Sequence, residues 1–145
     1  MFGLQTERNE RRNDSQLAYR QTNPRTPAIL IVENNEDNRQ MLKFLLEMWK
    51  YRVLEARDGI EALKAAEKER PDLILMDVKL PHLDGFDVTR KIRESAITGG
   101  VPIVFLSGCS DASSRKAAKV AGGNEYLVKP IDFQKLEHTL AKYIQ

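Results

Sequence analysis

Residues 73–85 read LILMDVKLPHLDG. Four consecutive aliphatic side chains, Leu73 to Met76, suit a parallel strand that is covered on both faces. The run stops on a carboxylate, Asp77, and the turn beyond it has its own structural residues. Pro81 sets geometry, and Asp84 is placed to cap a helix carrying Phe86, Val88 and Ile92, with Asp87 at the third position. Asp77 is left without a structural task. The bland reading is a solvated loop charge; the sharper one is a working carboxylate at the end of a buried strand.

The same punctuation continues outward. Upstream, AILIV (28–32) is another continuous apolar run and ends on Glu33 and Asn34. Met41, Leu42, Leu45 and Trp49 then recur at helical spacing after a polar Asn-Asn-Glu-Asp cluster, and this stripe is expected to pack into the core. RVLE (52–55) is short and bounded by charges, as an edge strand is. Asp58 and Glu61 stand in capping-box spacing ahead of Ile60, Leu63 and Ala66, with Pro71 closing that helix. Downstream, PIVFL (102–106) runs into Ser107 and Gly108. A helix from about Asp111 to Ala121 should stop at Gly122, whose freedom at positive φ suits a helix end. EYLV (125–128) precedes Lys129-Pro130, and Asp132 caps a last helix expected to turn Phe133, Leu136, Leu140 and Tyr143 inward. Five strands alternating with five helices describe an α/β parallel sheet wrapped on both faces.

Composition agrees with a single domain. The chain has 145 residues, 41% of them hydrophobic and 30% charged, which is too apolar for wholesale disorder. Its longest aliphatic stretches, AILIV and VPIVFL (101–106), fall far short of the roughly 20 residues of a membrane span. The N-terminal residues lack the apolar run of a secretory signal. The single cysteine, Cys109, excludes an internal disulfide and fits a reducing, cytoplasmic location.

Residues 1–27 hold five arginines and three acids and so carry the whole net charge of +2, while residues 28–145 balance at 18 basic and 18 acidic. A nucleic-acid binder needs a basic excess to meet phosphates, so direct nucleic-acid binding is not expected of the folded part. The Arg-, Asn-, Gln- and Thr-rich residues 1–27 read as a flexible polar leader, with a short helix centred on Leu17–Tyr19 the one element its pattern admits. Residues 28–145 read as the domain.

Parallel sheets of this kind place working residues beyond the C-terminal ends of their strands. Those residues are Glu33 and Asn34, Asp77, Ser107 and Lys129. Asp77 with Glu33 offers a hard oxygen site suited to Mg²⁺. An aspartate carboxylate can also take a phosphoryl group as an aspartyl-phosphate. The phosphoryl oxygens would then need a metal, a cation and hydrogen-bond donors around them. Lys129 supplies the cation and Ser107 a hydroxyl, and Gly108 leaves room beside it.

Taken together, ILIVENN, LILMDVKLPHLDG, PIVFLSG and AGGNEYLVKP resemble the receiver domain of two-component response regulators across about residues 28–145. The resemblance implies a flavodoxin-like, doubly wound sheet of order 2-1-3-4-5. It implies Asp77 as phosphoacceptor, Glu33 and Asn34 at the acidic pair that holds Mg²⁺, and the backbone carbonyl of Lys79 as a further metal ligand. Ser107 matches the switch hydroxyl, Lys129 the family lysine, and Tyr126 the aromatic that changes rotamer on activation. It further implies phosphoryl transfer from a histidine kinase or histidine phosphotransfer protein, and a downstream partner on the surface of the fourth helix, fifth strand and fifth helix. A homodimer on activation is also admitted. Such a chain is not an enzyme acting on a separate substrate but a phosphoacceptor with slow autodephosphorylation.

One departure stands out. Asn34 occupies the position where the family has its second acid, so the site has two carboxylates in place of three, and weakened Mg²⁺ binding is expected. That departure also favours a pseudo-receiver, a scaffold of the same fold that binds partners without phosphorylation; Asp77, Ser107 and Lys129 together disfavour it. Lys50 stands where the family often has glycine, a local matter of the turn before Tyr51. A flavodoxin-like FMN carrier is disfavoured because ENNEDN after the first strand would repel a phosphate. A haloacid-dehalogenase-type phosphatase would want two aspartates spaced by one residue after the first strand. His82 and His138 cannot assemble a metal cluster, and Cys109 has no histidine base to make it a nucleophile. Neither Gly99-Gly100 nor Gly122-Gly123 continues into a P-loop.

Overall fold

The computed structural model describes residues 25–144, so the helix anticipated around Leu17–Tyr19 lies outside the described residues. Ten elements alternate without exception. They are β1 (Ala28–Val32), α1 (Glu36–Met48), β2 (Arg52–Ala56), α2 (Gly59–Glu69), β3 (Leu73–Asp77), α3 (Gly85–Glu94), β4 (Ile103–Ser107), α4 (Ala112–Ala121), β5 (Glu125–Val128) and α5 (Phe133–Tyr143). The strands form one parallel sheet in the order β2-β1-β3-β4-β5. This is the flavodoxin-like doubly wound sheet, with β2 and β5 as its edges.

Every residue of β1, β3 and β4 is buried, because helices cover both faces. Alternate side chains split into two cores. Leu30, Val32, Ile74, Met76, Ile103 and Phe105 pack beneath α2, α3 and α4, while Ile29, Ile31, Leu73, Leu75, Val104 and Leu106 pack beneath α1 and α5.

The helices begin where short polar side chains can satisfy orphan amides. Asp58 accepts from the Glu61 amide, Asp84 from Asp87, Asp111 from Ser114, and Asp132 from Gln134 and Lys135. The box at α2 differs in one detail: Glu61 Oε1 reaches back to the amide of Arg57, one residue before the cap. Gly122 ends α4 at φ 110, and Arg70 ends α2 at φ 48, ahead of Pro71. Lys50 also sits at positive φ, 73, in the turn between α1 and β2, which accounts for glycine being the easier residue there.

Several expected core residues face water instead. Met41, Ile60 and Phe133 are all exposed, and so are Phe44 and Met48. The buried residues of α1 are Leu42, Leu46 and Arg39; in α2 they are Gly59, Ala62 and Ala66. Helix α1 spreads Met41, Leu42, Phe44, Leu45, Leu46 and Met48 over a stripe wider than the face it buries, so spacing alone does not say which of them meet the sheet. Of the 1–27 segment, Arg25 pairs with Asp72 at 3.0 Å and the Pro27 carbonyl accepts from the Arg52 amide at 2.8 Å.

Candidate functional site

Four of the five strands end by handing one polar residue to the same edge of the sheet. Asp77 closes β3 opposite Leu106, Glu33 follows β1, Ser107 closes β4 opposite Val128, and Lys129 follows β5. The Lys129 amide donates to the Ser107 carbonyl at 2.7 Å, and the Val78 amide to the Leu106 carbonyl at 3.1 Å, so the ladder itself carries the chain into the cleft. The Lys129–Pro130 peptide is cis.

Lys129 Nζ stands 3.3 Å from Glu33 Oε1 and 3.3 Å from Asp77 Oδ1. Both carboxylate side chains are over nine-tenths buried, while the lysine is partly open to solvent. Two buried negative charges therefore share one ammonium. Burial, and next the charge of Glu33, push the Asp77 carboxyl up to about 6 from its ordinary 3.8, against the opposing pull of Lys129. The site is short of positive charge.

That shortage is the test of whether a divalent cation fits. Glu33 Oε2 accepts from the Asn35 amide and Asp77 Oδ1 lies 3.4 Å from the Lys79 amide, while Asp77 Oδ2 accepts no hydrogen bond among the described residues. Two carboxylates with a free oxygen, beside a backbone turn at Lys79, form a hard oxygen donor set that suits Mg²⁺. No third acidic, histidine or cysteine side chain joins them among the described residues. Asn34 stays at the exposed rim, with its Nδ2 3.5 Å from the Arg57 carbonyl.

Ser107 is buried, and its Oγ accepts from the Cys109 amide at 3.1 Å. Tyr126 donates its hydroxyl to the Cys109 carbonyl at 2.6 Å, and the Arg115 guanidinium lies 5.2 Å from its ring centroid. The β4–α4 loop thus links the Ser107 hydroxyl to Tyr126 through one residue. An added Cβ at Gly108 would meet nothing within 4 Å, so space is open there. His82 is exposed in the loop after Asp77, at φ 70.

Two supports were not visible in the sequence. Buried Arg39 donates from Nη1 to the Glu33 carbonyl at 3.0 Å and from Nε to Glu55 at 3.1 Å, fixing the β1–α1 turn from which Glu33 projects. Gly85 lies against the backbone of the cleft: a Cβ there would collide with the Asp77 carbonyl oxygen and fall 3.0 Å from Val78 Cα. Its one trace in the sequence is a glycine directly after the cap Asp84, where the lack of a Cβ permits a close backbone approach without saying to what.

Residues 29–141 match the response regulator receiver domain family. The chain belongs to that family. Among its receiver relatives is the polar-differentiation response regulator DivK of Brucella anthropi, 31% identical over 117 residues that span 81% of this chain and 95% of DivK. Among solved receivers, that of the sensor histidine kinase PA1611 of Pseudomonas aeruginosa is 39% identical, with a TM-score of 0.77 over 82% of this chain and 98% of that one. That receiver was solved with a magnesium ion coordinated in its active-site cleft. The chemotaxis protein CheY4 of Vibrio cholerae is 31% identical, with a TM-score of 0.78 over 82% of this chain and 99% of CheY4. Among the described residues of this receiver, no helix is long and apolar enough to cross a membrane.

Proposed function

We propose that Asp77 accepts a phosphoryl group from a phosphohistidine of a histidine kinase or histidine phosphotransfer protein. The observation that carries this reading is the buried Asp77 carboxylate, held with Glu33 on a single lysine in a cleft short of positive charge. An Asp77 oxygen forms the new bond to phosphorus as the phosphorus–nitrogen bond breaks, and the departing imidazole takes up a proton. Glu33, Asp77, the Lys79 carbonyl and the Asn34 amide oxygen would hold Mg²⁺, which when bound supplies the positive charge that phosphoryl oxygens require. Lys129 supplies the remaining cation. With an uncharged amide in place of a third carboxylate, the site holds its metal more weakly than a three-acid site.

The phosphoryl group draws Ser107 Oγ from the Cys109 amide toward itself, and the loop carrying Cys109 passes that shift to Tyr126. The surface of α4, β5 and α5 is what a downstream partner reads. The phosphodonor approaches over α1, where Met41, Phe44 and Met48 are exposed and where Met41 and Phe133 line a cavity of about 300 Å³ beside Glu33 and Lys129. The chain is itself the acceptor, with water returning Asp77 to its free form, so it is a signalling protein of the cytoplasm and not an enzyme for a separate substrate. Residues 1–27 form its leader and 28–145 the receiver.

The test is incubation with Mg²⁺ and a small-molecule phosphodonor, read by intact mass, with Asp77→Asn as control. A single phosphoryl adduct on the wild type alone is expected. No adduct, with small donors and kinases alike, would overturn the reading in favour of the scaffold that Asn34 suggests.

A further inference from the structure

Just beyond β1, the Glu33 amide still donates to the Ala56 carbonyl at 3.0 Å, while the Glu33 carbonyl accepts from Arg39 Nη1 at 3.0 Å. Left without that donor, the carbonyl would carry the cost of a desolvated, unpartnered group. Arg39 is itself over nine-tenths buried, and a buried guanidinium needs a partner for its charge. It finds Glu55 on the edge strand β2, whose Oε1 accepts from Arg39 Nε at 3.1 Å. Glu55 also takes Gln40 Nε2 at 3.0 Å and Lys43 Nζ at 3.4 Å, so three positions of α1 hold it. The planar fork of arginine lets one side chain serve both acceptors, Nε for Glu55 and Nη1 for Glu33. Exposed Glu36 lies 4.0 Å from the remaining nitrogen. Glu55 is outside the cleft, yet one side chain joins it to the turn that carries Glu33 and Asn34.

We propose that Arg39 and Glu55 are positioning residues for the metal site: Glu55 orients the Arg39 guanidinium, which pins the Glu33 carbonyl and so aims the Glu33 carboxylate and Asn34. The proposal deepens the phosphoacceptor reading and rests on it, since it takes Glu33 as a metal ligand. The peptide between Glu33 and Asn34 is planar, so a turn of the Glu33 carbonyl swings both residues. Glu33 Oε2 is tied to the Asn35 amide at 3.0 Å and Oε1 to Lys129 at 3.3 Å, contacts that hold only while the turn keeps its shape. With an uncharged amide at position 34, Glu33 and Asp77 alone attract the cation by charge, and the aim of each counts for more. Placement and charge act in opposite directions. The guanidinium charge by itself repels a cation, so deleting it would tighten Mg²⁺ binding if charge were all that mattered, whereas loss of placement weakens it. A merely structural role would lower the melting temperature and leave the affinity alone.

Mg²⁺ is titrated by calorimetry into the full chain and its variants, with melting by circular dichroism and, in EDTA, the amide shifts of residues 33–35. Arg39→Met should weaken Mg²⁺ binding about tenfold or more, and should move the Asn34 and Asn35 amides before any metal is added. Glu55→Met should weaken binding in the same direction by less. The double variant should bind no more weakly than Arg39→Met, because both residues act through one chain of contacts. Glu55→Gln keeps the acceptor and should stay close to wild type. Lys43→Met, which loses a contact to Glu55 but none to Glu33, should leave the affinity unchanged. Where Arg39→Met fails to fold, Arg39→Lys carries the test: it keeps the charge, lacks the fork and should still weaken binding. Unchanged or tighter binding in the folded Arg39 variant, additive losses in the double variant, or equal loss with Lys43→Met would overturn the proposal. A wild type that binds no Mg²⁺ removes the reading of the cleft and the proposal with it. A wild type that binds, with Arg39→Met binding equally, removes the positioning role alone.

Discussion

Replacing Asp77 by asparagine should stabilise the protein when no divalent cation is present. Asp77 and Glu33 share Lys129 at 3.3 Å each, and the Asp77 carboxyl is raised from 3.8 to about 6 by burial and by Glu33. A raised carboxyl is protonated more readily folded than unfolded, so its charge costs stability. That cost is absent below about pH 4, grows as pH rises through the interval up to 6, and is complete above it. The shift corresponds to about 3 kcal/mol, and solvent at the mouth of the cleft screens part of this, leaving about 1–2 kcal/mol. Asp77→Asn keeps the shape and removes the charge, while Lys129 retains Glu33. At pH 7 in EDTA the variant should melt about 4–8 °C above the wild type by circular dichroism. The gap should close toward pH 4, where the wild-type carboxyl is neutral, and the other titrating acids cancel in the comparison. Mg²⁺ should raise the melting temperature of the wild type much more than that of the variant. A variant no more stable than wild type at pH 7 in EDTA, or a gap that persists unchanged at pH 4, would refute the reasoning.

Asn34→Asp should tighten Mg²⁺ binding by about tenfold, or about 1.4 kcal/mol, because a carboxylate replaces an exposed amide at the rim of the cleft; calorimetric titration measures it, and unchanged affinity contradicts it. Gly85→Ala should cost about 1–3 kcal/mol in urea denaturation and slow phosphodonor labelling, since its Cβ would drive the Asp77 backbone aside; wild-type values in both would show that the loop gives way without moving the site. Thr89 Oγ1 is buried without a hydrogen-bond partner, so the isosteric Thr89→Val should gain about 1 kcal/mol in the same assay, and a loss would mean the hydroxyl has a partner in solution.

Most of the fold was legible because its signals are local. Continuous apolar runs marked the three buried strands, and aspartates marked four helix starts: Asp58, Asp84 and Asp132 cap as expected, and Asp111, expected only as a helix start, caps as well. The edge of the sheet that gathers Glu33, Asp77, Ser107 and Lys129 followed from the rule that parallel sheets present strand ends together. What stayed hidden depends on rotation and on distant contacts. The turn of α1 about its axis exposes Met41, Phe44 and Met48 and buries Arg39, a residue whose charge marks it for solvent until the Glu33 carbonyl and Glu55 are found beside it. Ile60 and Phe133 lie at the first turns of their helices, where apolar spacing has not yet settled on a face. The approach of Gly85 to the Asp77 backbone joins residues that a sequence pattern shows only as two parts of one loop.

The central claim is that one carboxylate, at position 77, carries the phosphoryl group. After treatment with phosphodonor and Mg²⁺, borohydride reduction converts an aspartyl-phosphate to homoserine, and peptide mass sequencing locates it. The account predicts homoserine in place of Asp77 and nowhere else; conversion at another acid, or a label that resists borohydride, would contradict it.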